Sequence, residues 1–229
     1  MTDHSLKHHC AALIFDMDGV MVDNMKYHRI AWNRYAKLLG FGDIDLFDLI
    51  GFGATNRRYL EFLFKRSLSD AEVSKMGEEK EALYRSIFSD HIEPVQGLVP
   101  LLLRLKGNGL KLGVATSSPL SNLDFVLDRL KLRSYFDVLV YEELVKSGKP
   151  NPEIYLKALS LLDVDSDQSV VVEDSIHGAE AAKAAGCKVI GLLTSLTSQT
   201  FTLANVIAKN HDDITDTLIA SLYSTDKQF

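Results

Sequence analysis

The sequence predicts an α/β fold: a doubly wound, all-parallel sheet whose first strand is separated from the others by an inserted all-helical subdomain. Three observations predict it. Short apolar runs recur along the chain, helical patterns lie between most of them, and the stretch from about Met25 to about Ile92 carries helical periodicity without a convincing strand. The main domain is therefore expected to be discontinuous, built from residues 1–23 and 93–229, with residues 24–92 as the helical insert.

The elements follow in order. Ala11–Phe15 is an apolar run of the kind buried on both faces of a parallel sheet. In the insert, Tyr27, Ile30/Ala31, Arg34/Tyr35 and Leu38 trace one helix face, a second helix is expected near Asn56–Lys65, and a third, Ser69–Phe88, carries Val73, Met76, Leu83/Tyr84 and Ile87 on one side. Strand-like runs then recur at Leu112–Ala115, Val138–Tyr141, Ser169–Val172 and Val189–Leu193, with a weaker one near Asn205–Ile207. Between them, "GLVPLLLRLKGNG" reads as a helix ending at Gly107 or Gly109, and "SNLDFVLDRLKL" as one with Ser121 or Asn122 as N-cap. "NPEIYLKALSLL" has Asn151 as N-cap and Pro152 at the first helical position, and the Ala-rich "SIHGAEAAKAAG" stops at Gly186.

Composition is that of a globular protein, 46% hydrophobic and 24% charged. The formal charge of -6 disfavours general affinity for nucleic acid or anionic membrane. No segment approaches the ~20 apolar residues that span a bilayer. The opening "MTDHSLKHHC" is polar and does not read as a secretory signal, and the histidines at 4, 8 and 9 read as part of a frayed terminus. Cys10 and Cys187, far apart in sequence, fit two free thiols in a reducing cytoplasm. A monomer or weak dimer is expected.

The residues after each strand carry the chemistry. In open parallel sheets ligands bind beyond the carboxyl ends of the strands. Here the first strand runs into Asp16 and Asp18, the second into Thr116-Ser117-Ser118, the third into a loop reaching Lys149, and the fourth into Glu173 and Asp174. Two carboxylates about 5 Å apart repel by about 3 kcal/mol at an effective dielectric near 20, which a hard cation such as Mg²⁺ relieves while also engaging a phosphoryl oxygen. Thr116, neighbouring backbone N–H groups and Lys149 suit the remaining phosphate oxygens. A carboxylate free to attack in line forms an aspartyl phosphate, and a second acid two residues on shares its face and can exchange a proton with the leaving oxygen and with water. Gly19 lets the backbone turn sharply beside them.

"FDMDGV", "VATSS", "SGKPNP" and "VVEDSIHGAEAAKAAG", in that order, resemble the haloacid dehalogenase superfamily, in the branch holding β-phosphoglucomutase and small sugar-phosphate phosphatases. The resemblance covers nearly the whole chain and implies a Rossmann-like core with a helical cap. It implies that Asp16 is the phosphoryl-accepting nucleophile and Asp18 the general acid/base, an acid that dehalogenation does not need in the same role. Thr116, with Ser117 beside it, and Lys149 would hold the phosphoryl group. Mg²⁺ would bind Asp16, the Asp18 backbone carbonyl and Asp174, with Glu173 supporting it through water. His28 and Lys80 match cap positions that contact or sense substrate in the mutases. Asn56, followed by Arg57 and Arg58 in "GFGATNRR", stands where the mutases carry an arginine for a second phosphate. That departure favours a phosphatase acting on a small phosphorylated metabolite over a mutase. Hydrolysis of inorganic pyrophosphate and a non-enzymatic phospho-receiver module are lesser alternatives. A receiver module would need its paired acids and its phosphoacceptor in a different order along the chain. For Lys80 a snorkelling stem is an equal reading, and for His28 packing on Trp32.

Overall fold

The computed structural model describes residues 9–51, 55–195 and 201–224. The chain divides into two compact units, Met1–Asp23 with Glu93–Phe229, and Asn24–Ile92. The histidines at 4 and 8, the Phe52–Ala54 part of "GFGATNRR" and the end of the C-terminal tail lie outside the described residues.

The first unit opens with β1 (Ala12–Phe15), and every residue of that strand is buried. The second unit follows with α1 (Met25–Leu38), α2 (Leu46–Ile50), α3 (Asn56–Phe64) and α4 (Asp70–Phe88). The chain then returns through α5 (Leu98–Gly107), β2 (Lys111–Ala115), α6 (Leu120–Leu130), β3 (Val138–Val140), α7 (Glu153–Leu162), β4 (Ser169–Glu173), α8 (Ile176–Ala184), β5 (Lys188–Leu192), β6 (Val206–Ala208) and α9 (Asp216–Ser221). The six strands form one sheet in the order β3-β2-β1-β4-β5-β6, each neighbouring pair parallel. β1 thus lies between β2 and β4, which explains its unbroken apolar run: both faces and both edges are covered. Ile14, Tyr155, Val171, Ala182 and Phe201 belong to one core cluster against this sheet. Burying each large apolar side chain contributes about 1.5–3 kcal/mol. Among the described residues no helix is long and apolar enough to cross a membrane.

The helical unit has its own core around Trp32, Tyr35, Leu46, Tyr59, Leu60 and Leu63. Ser69 and Glu72 form a reciprocal capping box at the start of α4. Here the sequence expectation needs correction. The buried face of α1 is His28, Ala31, Trp32, Tyr35 and Ala36, whereas Ile30 and Leu38 are exposed. Apolar periodicity put the face one residue away because polar His28 packs inward. The short helix α2 was not expected; Asp45 caps it by accepting from the Phe47 and Asp48 amides.

Helix starts in the first unit also differ from the expectation. α6 begins at Leu120, not after Ser121 or Asn122, because the carboxylate of Glu143 accepts from the Leu120 amide and serves as its cap from a distant loop. α7 begins at Glu153, one residue past Pro152, with the Asn151 side chain accepting from the Glu153 amide.

Candidate active site

The sheet order makes the site. Because β2 and β4 flank β1, their carboxyl ends deliver Thr116 and the pair Glu173-Asp174 beside Asp16. The ladder runs one residue past β1, with the Asp16 amide donating to the Val172 carbonyl at 3.0 Å. Asp16 is therefore held on paired backbone, and the residue is only 7% exposed.

Lys149 joins the pieces. Its ammonium donates to Asp16 Oδ1 at 2.6 Å, to Glu173 Oε1 at 2.7 Å and to the Ala115 carbonyl at 3.3 Å. Glu173 is fully buried. Besides Lys149 it accepts from the Tyr155 hydroxyl at 2.7 Å, and its Oε2 accepts from the Asp174 amide and from the amide and hydroxyl of Ser175. A Cβ at Gly178 would stand 1.7 Å from Glu173 Oε1, so that seat exists only beside a glycine. Thr116 is buried, and its Oγ1 accepts from the Ser118 amide at 3.0 Å, while Ser117 is exposed. Asp18 is half-buried, and its Oδ2 accepts from the Ser118 hydroxyl at 2.5 Å. Gly19 has φ 79°, and a Cβ there would fall 1.9 Å from Asp174 Oδ2, so the turn needs a glycine on two counts.

Asp16, Glu173 and Asp174 each offer an oxygen within 4.8 Å of the others. Asp174 is 2% exposed, and its Oδ2 is buried with no hydrogen-bond donor on it. Three carboxylates share one ammonium. Burial, opposed by Lys149 but reinforced by Glu173 and Asp18, raises Asp16 to about 7. Burial, with Glu173 and Asp16 beside it, pushes Asp174 well above the usual carboxylate range. Burial opposes the charge on Glu173 too, but Lys149 and the donors around it hold that carboxyl below its ordinary value. Burial likewise opposes the charge on Lys149, and Asp16 and Glu173 outweigh it, keeping the ammonium above its ordinary pKa. The excess negative charge and the open Asp174 oxygen fit a hard divalent cation. Asp16 and Asp174 are the carboxylates suited to hold it, because the oxygens of Glu173 are already engaged.

The four residues of the helical unit singled out from sequence fall into two groups. Lys80 is 2% exposed, 2.6 Å from Glu81 Oε1 and 3.3 Å from His28 Nδ1. Its ammonium does not snorkel to solvent. His28 stacks on Tyr84, with ring centroids 3.7 Å apart, while Trp32 offers its face to Lys80 at 5.0 Å. Asn56 donates to Glu81 Oε1 at 3.1 Å and so joins this cluster. Arg57 does not: it donates to Glu61, to the Leu68 carbonyl and to Asp70, fastening α3 to the start of α4. Arg58 is exposed.

Sequence reasoning passed over Tyr155, Ser175 and Glu81 and gave Ser118 no part of its own. Ser175 was findable as the N-cap of α8, where its hydroxyl accepts from the Gly178 amide. Glu81, adjacent to Lys80, offered no pattern. Tyr155 reads as one more apolar position on α7.

The sequence profile of the family described as haloacid dehalogenase-like hydrolase matches residues 13–192. Among curated proteins, the chain is 37% identical over 191 residues to a phosphorylated carbohydrates phosphatase of Thermotoga maritima, covering 81% of this chain and 86% of that one. It is 30% identical over 190 residues to a β-phosphoglucomutase of Bacillus subtilis, covering 79% and 82%. Among solved structures, the HAD hydrolase, family IA, variant 3, of Entamoeba histolytica superimposes with a TM-score of 0.86 at 28% identity, covering 93% of this chain and 98% of that one.

Proposed function

Since the chain belongs to the haloacid dehalogenase-like hydrolase family, we propose that it is a Mg²⁺-dependent phosphatase that hydrolyses a small phosphorylated carbohydrate through an aspartyl-phosphate intermediate. The single observation that carries this reading is the bridge from Lys149 to Asp16 and Glu173, with the open oxygen of Asp174 alongside. It pairs a nucleophilic carboxylate with a fixed ammonium and sets beside them a carboxylate oxygen suited to a metal cation.

Asp16 attacks the phosphorus of a monoester in line, forming the Asp–O–P bond as the sugar oxygen leaves. Asp18 gives the departing oxygen its proton, then takes one from the water that cleaves the acyl phosphate, returning inorganic phosphate and free Asp16. Thr116, Ser117 and Lys149 hold the phosphoryl oxygens. Asp16, Asp174 and the Asp18 carbonyl would bind Mg²⁺, which would supply positive charge to screen the phosphoryl oxygens from the carboxylates. Glu173 acts at one remove, by orienting Lys149 and the Asp174-Ser175 backbone. The buried free thiols of Cys10 and Cys187 support a reducing cytoplasm as its setting.

A phosphomutase reading has the Bacillus subtilis relative in its favour. Against it, the side chains at the departure from the mutase pattern are spent within the helical unit, Asn56 on Glu81 and Arg57 on Glu61 and Asp70. The test is a panel of phosphorylated carbohydrates assayed for phosphate release with and without Mg²⁺, run beside isomerisation of β-glucose 1-phosphate. Release that needs Mg²⁺ and no sugar bisphosphate is expected, and isomerisation outpacing release would overturn it. Asp16→Asn should lower turnover at least about a thousand-fold with an unchanged circular dichroism spectrum; comparable rates would remove Asp16 from the nucleophile's role.

A further inference from the structure

Lys149 is the group that must stay on the reacting carboxylate, and its three N–H bonds have three destinations. One goes to Asp16 Oδ1, one to the Ala115 carbonyl and one to Glu173 Oε1. The first is the bond that chemistry disturbs, and the second is long. The third therefore fixes where the ammonium rests. Glu173 Oε1 is shared with the Tyr155 hydroxyl at 2.7 Å, and the ring of that same tyrosine lies 5.0 Å from the Lys149 nitrogen. Tyr155 is fully buried in the first turn of α7, whose Pro152 carbonyl accepts from its amide.

We infer that Tyr155 is a positioning residue for phosphoryl transfer: its hydroxyl pins Glu173, and Glu173 in turn keeps Lys149 on Asp16. The inference rests on the phosphatase reading above. Tyr155 touches Lys149 with its ring face and touches the carboxylate that orients Lys149 with its hydroxyl. A phenylalanine would keep the first contact and lose the second. A dry carboxylate oxygen deprived of one of its two donors is left with Lys149 alone, so the carboxyl group shifts to recover a donor and draws Lys149 off its line.

The experiment is a double-mutant cycle on the full chain with Mg²⁺ and p-nitrophenyl phosphate as probe, using Tyr155→Phe, Glu173→Gln and the double variant. Tyr155→Phe is expected to lower kcat about ten-fold with a much smaller change in KM. In the Glu173→Gln background the same substitution should do almost nothing, because the path to Lys149 is already cut. A role confined to packing would move the melting temperature and leave kcat, or act equally in both backgrounds. Additive effects, or a parental kcat for Tyr155→Phe, overturn the inference. If Tyr155→Phe does not fold, Glu173→Gln alone decides: a parental kcat there breaks the chain from Tyr155 to Lys149, and a comparable loss at unchanged KM supports it. A parent chain that releases no phosphate under any condition overturns the proposed function, and with it the step Tyr155 serves; a working parent with an indifferent variant overturns only the role of Tyr155.

Discussion

Lys149 and Lys80 are both withdrawn from water, the first in the α/β unit and the second in the helical unit, and their company differs. Lys149 bridges two carboxylates, with Asp174 in the same cluster. Lys80 faces the carboxylate of Glu81 at 2.6 Å, and Asn56 and His28 join that cluster with hydrogen bonds at 3.1 and 3.3 Å. In the first group carboxylates outnumber the ammonium that bridges them, whereas in the second an ammonium and a carboxylate meet as an ion pair. Removing ions from water costs several kcal/mol each, so a buried pair that balances itself can be a structural element. A buried cluster that does not balance is relieved by taking up a proton or by binding a cation. The contrast teaches where to look for a ligand: toward the surplus rather than toward the burial.

The comparison can be broken most sharply in the helical unit. Lys80→Met removes the ammonium that faces Glu81 and should cost about 3–5 kcal/mol in urea unfolding, while Lys80→Met with Glu81→Leu should recover most of it, since an apolar pair of similar volume is close to neutral. A double variant as unstable as the single one would show that the cluster is not a self-contained pair.

Cation binding sharpens the same contrast. Mg²⁺ at about 100 times its Kd should stabilise the α/β unit by about 2.7 kcal/mol. Amide exchange should slow in β1 and β4 and stay unchanged across Asn24–Ile92. Equal protection in both units would erase the distinction between the two clusters.

The smallest effect concerns acid. His211, fully buried, donates from Nε2 to the Val20 carbonyl, and burial lowers its pKa to about 4 despite that bond and the nearby Asp212. The folded state therefore favours the neutral ring. The stability it contributes is complete above the unfolded value of 6.5 and is lost as pH falls toward 4. Between pH 7 and pH 5 the loss is about 2 kcal/mol. Unfolding of the parent and of His211→Gln at both pH values checks it, and identical slopes would remove His211 as the cause. This acid sensitivity lies in the α/β unit, outside both lysine clusters.

The strands were legible because parallel strands buried on both faces are apolar through their buried middle, as Ala12, Leu13, Ile14 and Phe15 are in β1 and Val170, Val171 and Val172 in β4. The groups at their carboxyl ends were legible because acids, hydroxyls and a lysine directly after such runs have few structural reasons to recur. Helix boundaries were less so. The start of α6 depends on Glu143, 23 residues on, which no local pattern announces. In α1 an apolar count put Leu38 inside and missed His28, because a stacked and hydrogen-bonded histidine packs where hydropathy expects an aliphatic residue.

By itself the amino-acid order determined the alternation of strands and helices, the helical insert and the identity of the groups that end each strand, since these follow from local periodicity and from what may be buried without a partner. Tertiary structure decided the pairings. That Lys149 reaches Asp16 across 133 residues and Glu173 across 24, that Tyr155 shares an oxygen with it, and that Lys80 is matched by Glu81 while Arg57 is spent on Glu61 and Asp70, depend on sheet order and helix packing. Charges interact through space at a few ångströms, and only the folded chain sets those distances.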